Sequence, residues 1–366
     1  MAFLAAGCAC SGGILGIDPT LTTEATITTV ASTSSSSSPT TTAAPAPLDS
    51  TTSSSLPPEP TTTIPLPAGN VGCPADASGC LENTAAGGAY LEANTEGAPY
   101  GFHFVRIGGG VVGSLNPDEP FYPASSLKVL QHLHAVRWVA AQPDQAAALG
   151  TSLIVYDDTC ADAGASWTQS LSSVLTAMMI ESANKASNAV QSFFGREAIN
   201  ATATDVVGTT NTLLAHHFGC GGPSSNPANR STARDLSLIY ERAGSRAVVD
   251  EAGFDLFASF MLGPVWPTLE AAVREEGAAA GLDDAEIGAF LGETDLLYKA
   301  GWWDYYLIVG GYLALPGCSG PREYAFAVFL NGADWVSPGF DISDVVAVVL
   351  RSDVRAALEE AADPAC

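Results

Sequence analysis

The chain has 366 residues, 47% of them hydrophobic, with 39 acidic side chains against 14 basic and a formal net charge of −25. A surface that acidic repels nucleic-acid phosphates and anionic lipid headgroups, so nucleic-acid binding is excluded and membrane contact through a folded surface is not expected. The length suits one large domain or two small ones, but composition is uneven and the folded part is shorter than the chain.

Residues 1–19 read as an export signal. Leu4-Ala5-Ala6-Gly7-Cys8 resembles a bacterial lipobox, in which small residues precede a cysteine that is cleaved and lipidated. The apolar run before it is too short to span a bilayer. A lipid anchor on Cys8 is therefore the only membrane contact expected, and the product is expected to be exported, as a cell-surface lipoprotein or a secreted protein. Residues 20–72 are rich in Ser, Thr and Pro, with a pure serine run from Ser34 to Ser38. Such a segment buries too little to offset its ordering entropy and is expected to be a disordered tether.

The folded domain is expected over 73–366. Two short apolar runs separated by glycines, Gly101–Gly108 and Gly110–Ser114, predict a β-hairpin. A helix follows over 125–141, then a helical region over about 130–290 that includes 170–180, 186–194, 232–243 and 268–276. Strand patterns return at 296–303, 305–315 and 323–331, and an amphipathic helix closes the chain over 343–361. Strands flanking a helical middle predict an α+β fold, with an antiparallel sheet built from both chain ends and a helical insert.

Six cysteines fall in this domain, with no C-x-x-C pair, which reads as disulfides in an exported chain and not as a metal site. Cys73 with Cys80 is a local pairing. A terminal helix running antiparallel to the last strand would bring Cys366 back to the 316–322 turn and its Cys318, leaving Cys160 for Cys220. His132 and His134, two apart on one helix, face different ways and suit no metal. No metal or organic cofactor is expected.

Three segments carry chemistry. In Pro123-Ala124-Ser125-Ser126-Leu127-Lys128, Ser and Lys lie one helical turn apart on one face. A serine hydroxyl needs a base to become a nucleophile, and a buried lysine can be that base because desolvation lowers its pKa. Ser182-Ala183-Asn184, read as the end of one helix, offers a hydroxyl for proton relay and an amide to hold a carbonyl. Lys299-Ala300-Gly301 at the start of a strand offers a cation for a substrate carboxylate and a glycine for close backbone approach. The chain contains only three lysines, Lys128, Lys185 and Lys299: two fall inside these segments, and Lys185 directly follows Asn184 within the stretch MMIESANKASNAV. Arginine can replace lysine as a surface charge but not as a base that must lose its proton.

The order S-x-x-K, S-x-N, K-x-G, with serines 57 residues apart and the lysine a further 117 on, resembles the serine β-lactamases and penicillin-binding proteins. FYPASSLK, SANKASNAV, STARDLSLI and the pair LIVGGYLAL and AFAVFLNG are similar to segments of that superfamily, over roughly 90–362. The resemblance implies a class A β-lactamase-like domain and an acyl-enzyme on Ser125. It makes Lys128 the base or proton relay, Ser182 a proton shuttle, and Asn184 and Lys299 substrate-binding groups. The N–H groups of Ser125 and of Trp302, next to Gly301, would form the oxyanion hole. The implied substrate is a small β-lactam or a peptidoglycan-derived amide.

Three departures stand out. Ala183 replaces the usual Asp, and Ala300 replaces a hydroxyl residue. No E-P-E-L-N-like segment is present, and no acidic residue occurs from Thr209 to Arg234, where class A enzymes carry the Glu that activates the deacylating water. His216 or His217 would be a substitute there, although the pair reads first as structural. The readings left open are a β-lactamase-related hydrolase, a D-Ala-D-Ala carboxypeptidase, and a non-catalytic penicillin-binding sensor.

Overall fold

The computed structural model describes residues 69–363, 365 and 366. The export signal, Cys8 and all but the end of the expected tether lie outside the described residues. That end is already part of the fold: Asn116 N–H donates to Asn70 O (2.7 Å), and Gly72 N–H donates to Ser114 O (3.2 Å).

Helix α1 (Ser78–Asn94) opens the domain, followed by β1 (Thr95–Glu96), β2 (Tyr100–Arg106) and β3 (Gly110–Leu115). The predicted hairpin is present, but α1 is not foreshadowed by any apolar periodicity. Gly87 in its centre explains this: a Cβ there would lie 2.6 Å from Val349 and 2.9 Å from the Phe102 ring, so close packing selects this helix rather than propensity. A 3₁₀ turn (Ala124–Leu127) leads into α2 (Lys128–Ala140). Helix α2 buries nine of its residues on all sides, as expected of a core helix.

The middle of the chain is not purely helical. After α3 (Gln145–Leu149), strands β4 (Ser152–Asp158) and β5 (Ala163–Ser170) pair as a hairpin. Strand β5 was unreadable in the sequence because its small and polar residues are all exposed except the last. Helices α4 (Leu171–Met179), α5 (Asn184–Phe194), α6 (Arg196–Ala201), α7 (Ala233–Gly244) and α8 (Glu251–Ser259) complete this region. Three are capped locally. Ser170, Thr232 and Asp250 accept N–H groups of the first turns of α4, α7 and α8.

Strand β6 (Leu262–Gly263) precedes α9 (Pro267–Ala279) and α10 (Asp284–Gly292), and then come β7 (Asp295–Trp303), β8 (Tyr306–Leu315), β9 (Arg322–Asn331) and β10 (Trp335–Val336). The predicted terminal helix is two, α11 (Asp344–Val349) and α12 (Arg351–Ala361), broken at the fully buried Leu350. The main sheet has the order β3-β2-β9-β8-β7-β6 and its described ladders are antiparallel, so strands from both ends of the domain interleave as predicted.

Two apolar cores cover the two faces. One joins α2, α4, α5, α7 and α8 to Leu297, Ile308 and Phe329. The other joins α1 and α9 to α12 to Phe102, Phe104 and Phe326. On that second side the buried Glu276 of α9 receives Arg351 (2.5 Å) and Arg355 (2.7 Å) of α12. The expected disulfides are all present, with Cα separations of 5.8 Å for Cys73–Cys80, 5.4 Å for Cys160–Cys220 and 5.1 Å for Cys318–Cys366. No helix among the described residues is long and apolar enough to cross a membrane.

Candidate active site

Ser125 lies in the 3₁₀ turn at the mouth of α2. It is the only residue from Phe121 to Leu133 that is not buried. Ala124 immediately before it has φ +44°, a conformation that costs a β-carbon-bearing residue on the order of 1–3 kcal/mol. The helix start directs backbone N–H groups and a positive dipole end toward this serine.

One turn on, Lys128 is fully buried. Its Nζ donates to Ser182 O (2.6 Å) and Asn184 Oδ1 (2.7 Å) and approaches Ser182 Oγ (3.4 Å). These contacts join the first and second motifs. They also correct one detail: Ser182-Ala183-Asn184 is the junction between α4 and α5, not the end of one helix. Ser182 turns the chain with φ +56°, and Asn184 is the first residue of α5. With Oδ1 committed to Lys128, the exposed Asn184 side chain keeps its amide N–H groups for a ligand.

Lys299 is also buried, and its Nζ donates to Ala300 O at 2.9 Å. Two residues further along the same strand face, Gly301 lies against the turn that carries Ser125. A Cβ at Gly301 would lie 2.5 Å from Pro123 O, 2.7 Å from Ser126 N and 3.0 Å from Ser125 N. Any larger residue would push β7 away from Ser125. Trp302, the expected second oxyanion donor, has a 74% exposed side chain whose indole N–H donates to Asp304 O.

Neither Lys128 nor Lys299 has an acidic partner among the described residues. Burial pushes Lys128 down to about 7, aided by the charge of Lys299, and burial alone pushes Lys299 down to about 8. Two desolvated ammonium groups in a chain of net charge −25 create a local demand for an anion. Lys185, the third lysine, does not join them. It faces outward, paired with Asp157 at 2.8 Å and stacked on Trp167 at 5.5 Å.

Sequence reading alone did not find what covers Lys128. The loop between α6 and α7 places the buried Phe218 ring 5.2 Å from Lys128 Nζ. Asn188 on α5 fixes this residue, accepting from Phe218 N–H (2.8 Å) and donating to Phe218 O (3.0 Å). An apolar ring therefore stands over the lysine in the segment that lacks an acid. The two histidines are committed to the loop itself. The His217 ring donates to Thr159 O (2.6 Å), and that of His216 to His217 O (2.9 Å). Further along the same loop, Gly221 O accepts from Tyr122 Oη (3.2 Å), and the Tyr122 ring meets Trp303 and Tyr306 edge-on, each at 6.0 Å. No cluster of His, Cys, Asp or Glu that could hold a metal occurs among the described residues.

The fold and the convergence of these motifs define a class A β-lactamase-like domain. The profile of the Beta-lactamase enzyme family matches residues 88–293, more than half of the chain, and the chain belongs to that family. Solved structures agree in fold. PBP-A, as a Leu-to-Glu mutant in an acyl-enzyme complex with penicillin G, is 20% identical, with a TM-score of 0.52 over 71% of this chain and 90% of that one. The β-lactamase of Sphaerobacter thermophilus is 19% identical, with a TM-score of 0.54 over 76% and 97%. The class A β-lactamase of Mycobacterium abscessus is 14% identical, with a TM-score of 0.54 over 74% and 97%. No curated protein matches the sequence.

Proposed function

We propose that this chain is an acyl-transferring serine hydrolase whose substrates are β-lactams or peptidoglycan-derived amides carrying a carboxylate. The observation that carries the reading is the pair of buried lysines without acidic partners beside an accessible serine. One lysine suits proton transfer and the other suits an anion.

In this mechanism neutral Lys128 takes the proton from Ser125 Oγ as the Oγ–C bond forms. The N–H groups of Ser125 and Trp302 stabilise the oxyanion. Collapse breaks the C–N bond, and the proton returns from Lys128 through Ser182 Oγ to the leaving nitrogen. Lys299 holds the substrate carboxylate and Asn184 its amide carbonyl. Water then hydrolyses the ester on Ser125.

The last step is the slow one. Phe218 occupies the space over Lys128, and no acidic residue from Thr209 to Arg234 is available to activate water. This favours a D-Ala-D-Ala carboxypeptidase or slow penicillin-binding behaviour over fast β-lactam turnover. A fluorescent penicillin separates the readings. Labelling that persists for minutes or longer fits the proposal. Turnover at about 10–1,000 per second identifies a fast β-lactamase, and reversible binding without a covalent adduct identifies a sensor. Export with a lipid on Cys8 belongs to the same proposal, and globomycin-sensitive processing with palmitate incorporation tests it.

A further inference from the structure

The turn between β4 and β5 is fastened to the loop over Lys128 at three points. Cys160 in the turn is disulfide-bonded to Cys220 in the loop, 60 residues away. The His217 ring donates to Thr159 O at 2.6 Å. Asn188 donates to both Thr159 Oγ1 (2.9 Å) and Phe218 O (3.0 Å). Phe218 sits between these ties. The hairpin has little apolar anchoring: only Leu153 and Val155 of β4 are buried and no residue of β5 is, and its other ties to α5 are exposed polar ones, Lys185 to Asp157 (2.8 Å) and Ser192 to Asp162 (3.1 Å). An element with so few apolar contacts opens locally at low cost unless it is cross-linked. The other two disulfides act elsewhere, at the start of α1 and the end of α12.

We propose that the Cys160–Cys220 disulfide is a positioning element of the site, clamping the Phe218 ring over Lys128 and making the reactivity of Ser125 sensitive to thiols. The activity part rests on the role of Lys128 proposed above; the clamp itself does not. With the loop closed, the ring excludes water from the ammonium, and burial is the main cause that lowers Lys128 to about 7. A dithiol reductant would open the clamp by exchange, its two thiols becoming a disulfide as Cys160 and Cys220 become thiols. The charged and titratable groups on the surrounding elements are Lys299 on β7, Glu181 and Lys185 beside the 182–184 junction, His216 and His217 in the loop, His132 on α2, and Asp157 and Asp158 on β4. Among them Lys299 is the one whose charge bears on Lys128.

With only three lysines in the chain, ¹³Cε-lysine labelling gives three signals that can be titrated and assigned by substitution. The Cys160→Ser/Cys220→Ser variant keeps the other two disulfides, and its fold is checked by circular dichroism. The expected result is a Lys128 midpoint about one pH unit above the parent's, and acylation by a fluorescent penicillin about fivefold slower at pH 7, as the neutral fraction falls from about one half to about one eleventh. Phe218→Ala with the disulfide intact should move the midpoint the same way and carries the test if the double variant does not fold. An unchanged Lys128 midpoint in either folded variant overturns the clamp. A parent protein that titrates as described but takes no penicillin overturns the acylation reading and leaves the clamp standing.

Discussion

Lys128 Nζ donates to Asn184 Oδ1 across 2.7 Å, joining two segments 56 residues apart at a single buried ammonium. The contact fixes where the lysine points. Its other close acceptor is Ser182 O, so the group is held by neutral partners and not by a counter-charge. This lets Lys128 lose its proton near neutrality.

The pH profile of acylation follows from that. Lys128 must be neutral, so the second-order rate rises as pH increases through about 7. Lys299 must be charged to hold a carboxylate, so the rate falls as pH increases through about 8. Stopped-flow acylation should give a narrow bell between these limbs. Lys128→Arg should be nearly as inactive as Lys128→Ala, since a guanidinium does not deprotonate in this range. An arginine variant close to the parent would remove Lys128 from the role of base.

The same lysine should cost stability. Its folded pKa lies below its unfolded value, so the unfolded chain binds more protons between about 7 and 10.5. Stability should therefore fall as pH drops through that window and level off below about 7. Lys128→Met keeps the volume and removes the buried charge. Denaturant unfolding at pH 7 should show it more stable by on the order of 1–3 kcal/mol, even though it is inactive. A destabilised Met variant would mean that the bonds to Ser182 and Asn184 outweigh the desolvation.

Gly301→Ala tests the contact between β7 and the turn that carries Ser125. The added Cβ would lie 2.5 Å from Pro123 O, a backbone atom that cannot swing aside. Acylation should fall at least about 100-fold, because a displacement near 1 Å is enough for that loss. A variant that acylates normally would show that the strand need not lie this close.

Much of the candidate site was legible in the sequence, because the proposed chemistry restricts residue type. A base that deprotonates must be Lys and not Arg, and in a chain with three lysines that choice left a visible mark at Lys128, whereas Lys299, proposed to stay charged, was marked by its place in the K-x-G motif. Gly301 was readable as a point of close approach for the same kind of reason. Lys185 passed the same filter without belonging to the site, because scarcity identifies a residue type and not a direction. The sheet could be read from apolar runs such as those of β8 and β9, whereas α1 could not, because its central Gly87 is chosen by Val349 and Phe102 on distant elements. Strand β5 carries no apolar alternation, since it has no core to face. The absence of an acid between Thr209 and Arg234 was plain in the sequence. That Phe218 stands over Lys128 depends on a loop held by Asn188 and Cys160, which no local pattern reports.

The central claim is that Ser125 forms the ester. Intact-protein mass spectrometry after incubation with benzylpenicillin tests it most directly, comparing the parent with Ser125→Ala. The account predicts that the parent gains the mass of one whole penicillin, as expected when a lactam ring opens onto a serine and no leaving group departs. It predicts no gain for Ser125→Ala, with a thermal midpoint close to the parent's because Ser125 Oγ makes no hydrogen bond within the described residues. An alanine variant that still takes up one penicillin would place the nucleophile elsewhere and contradict the account.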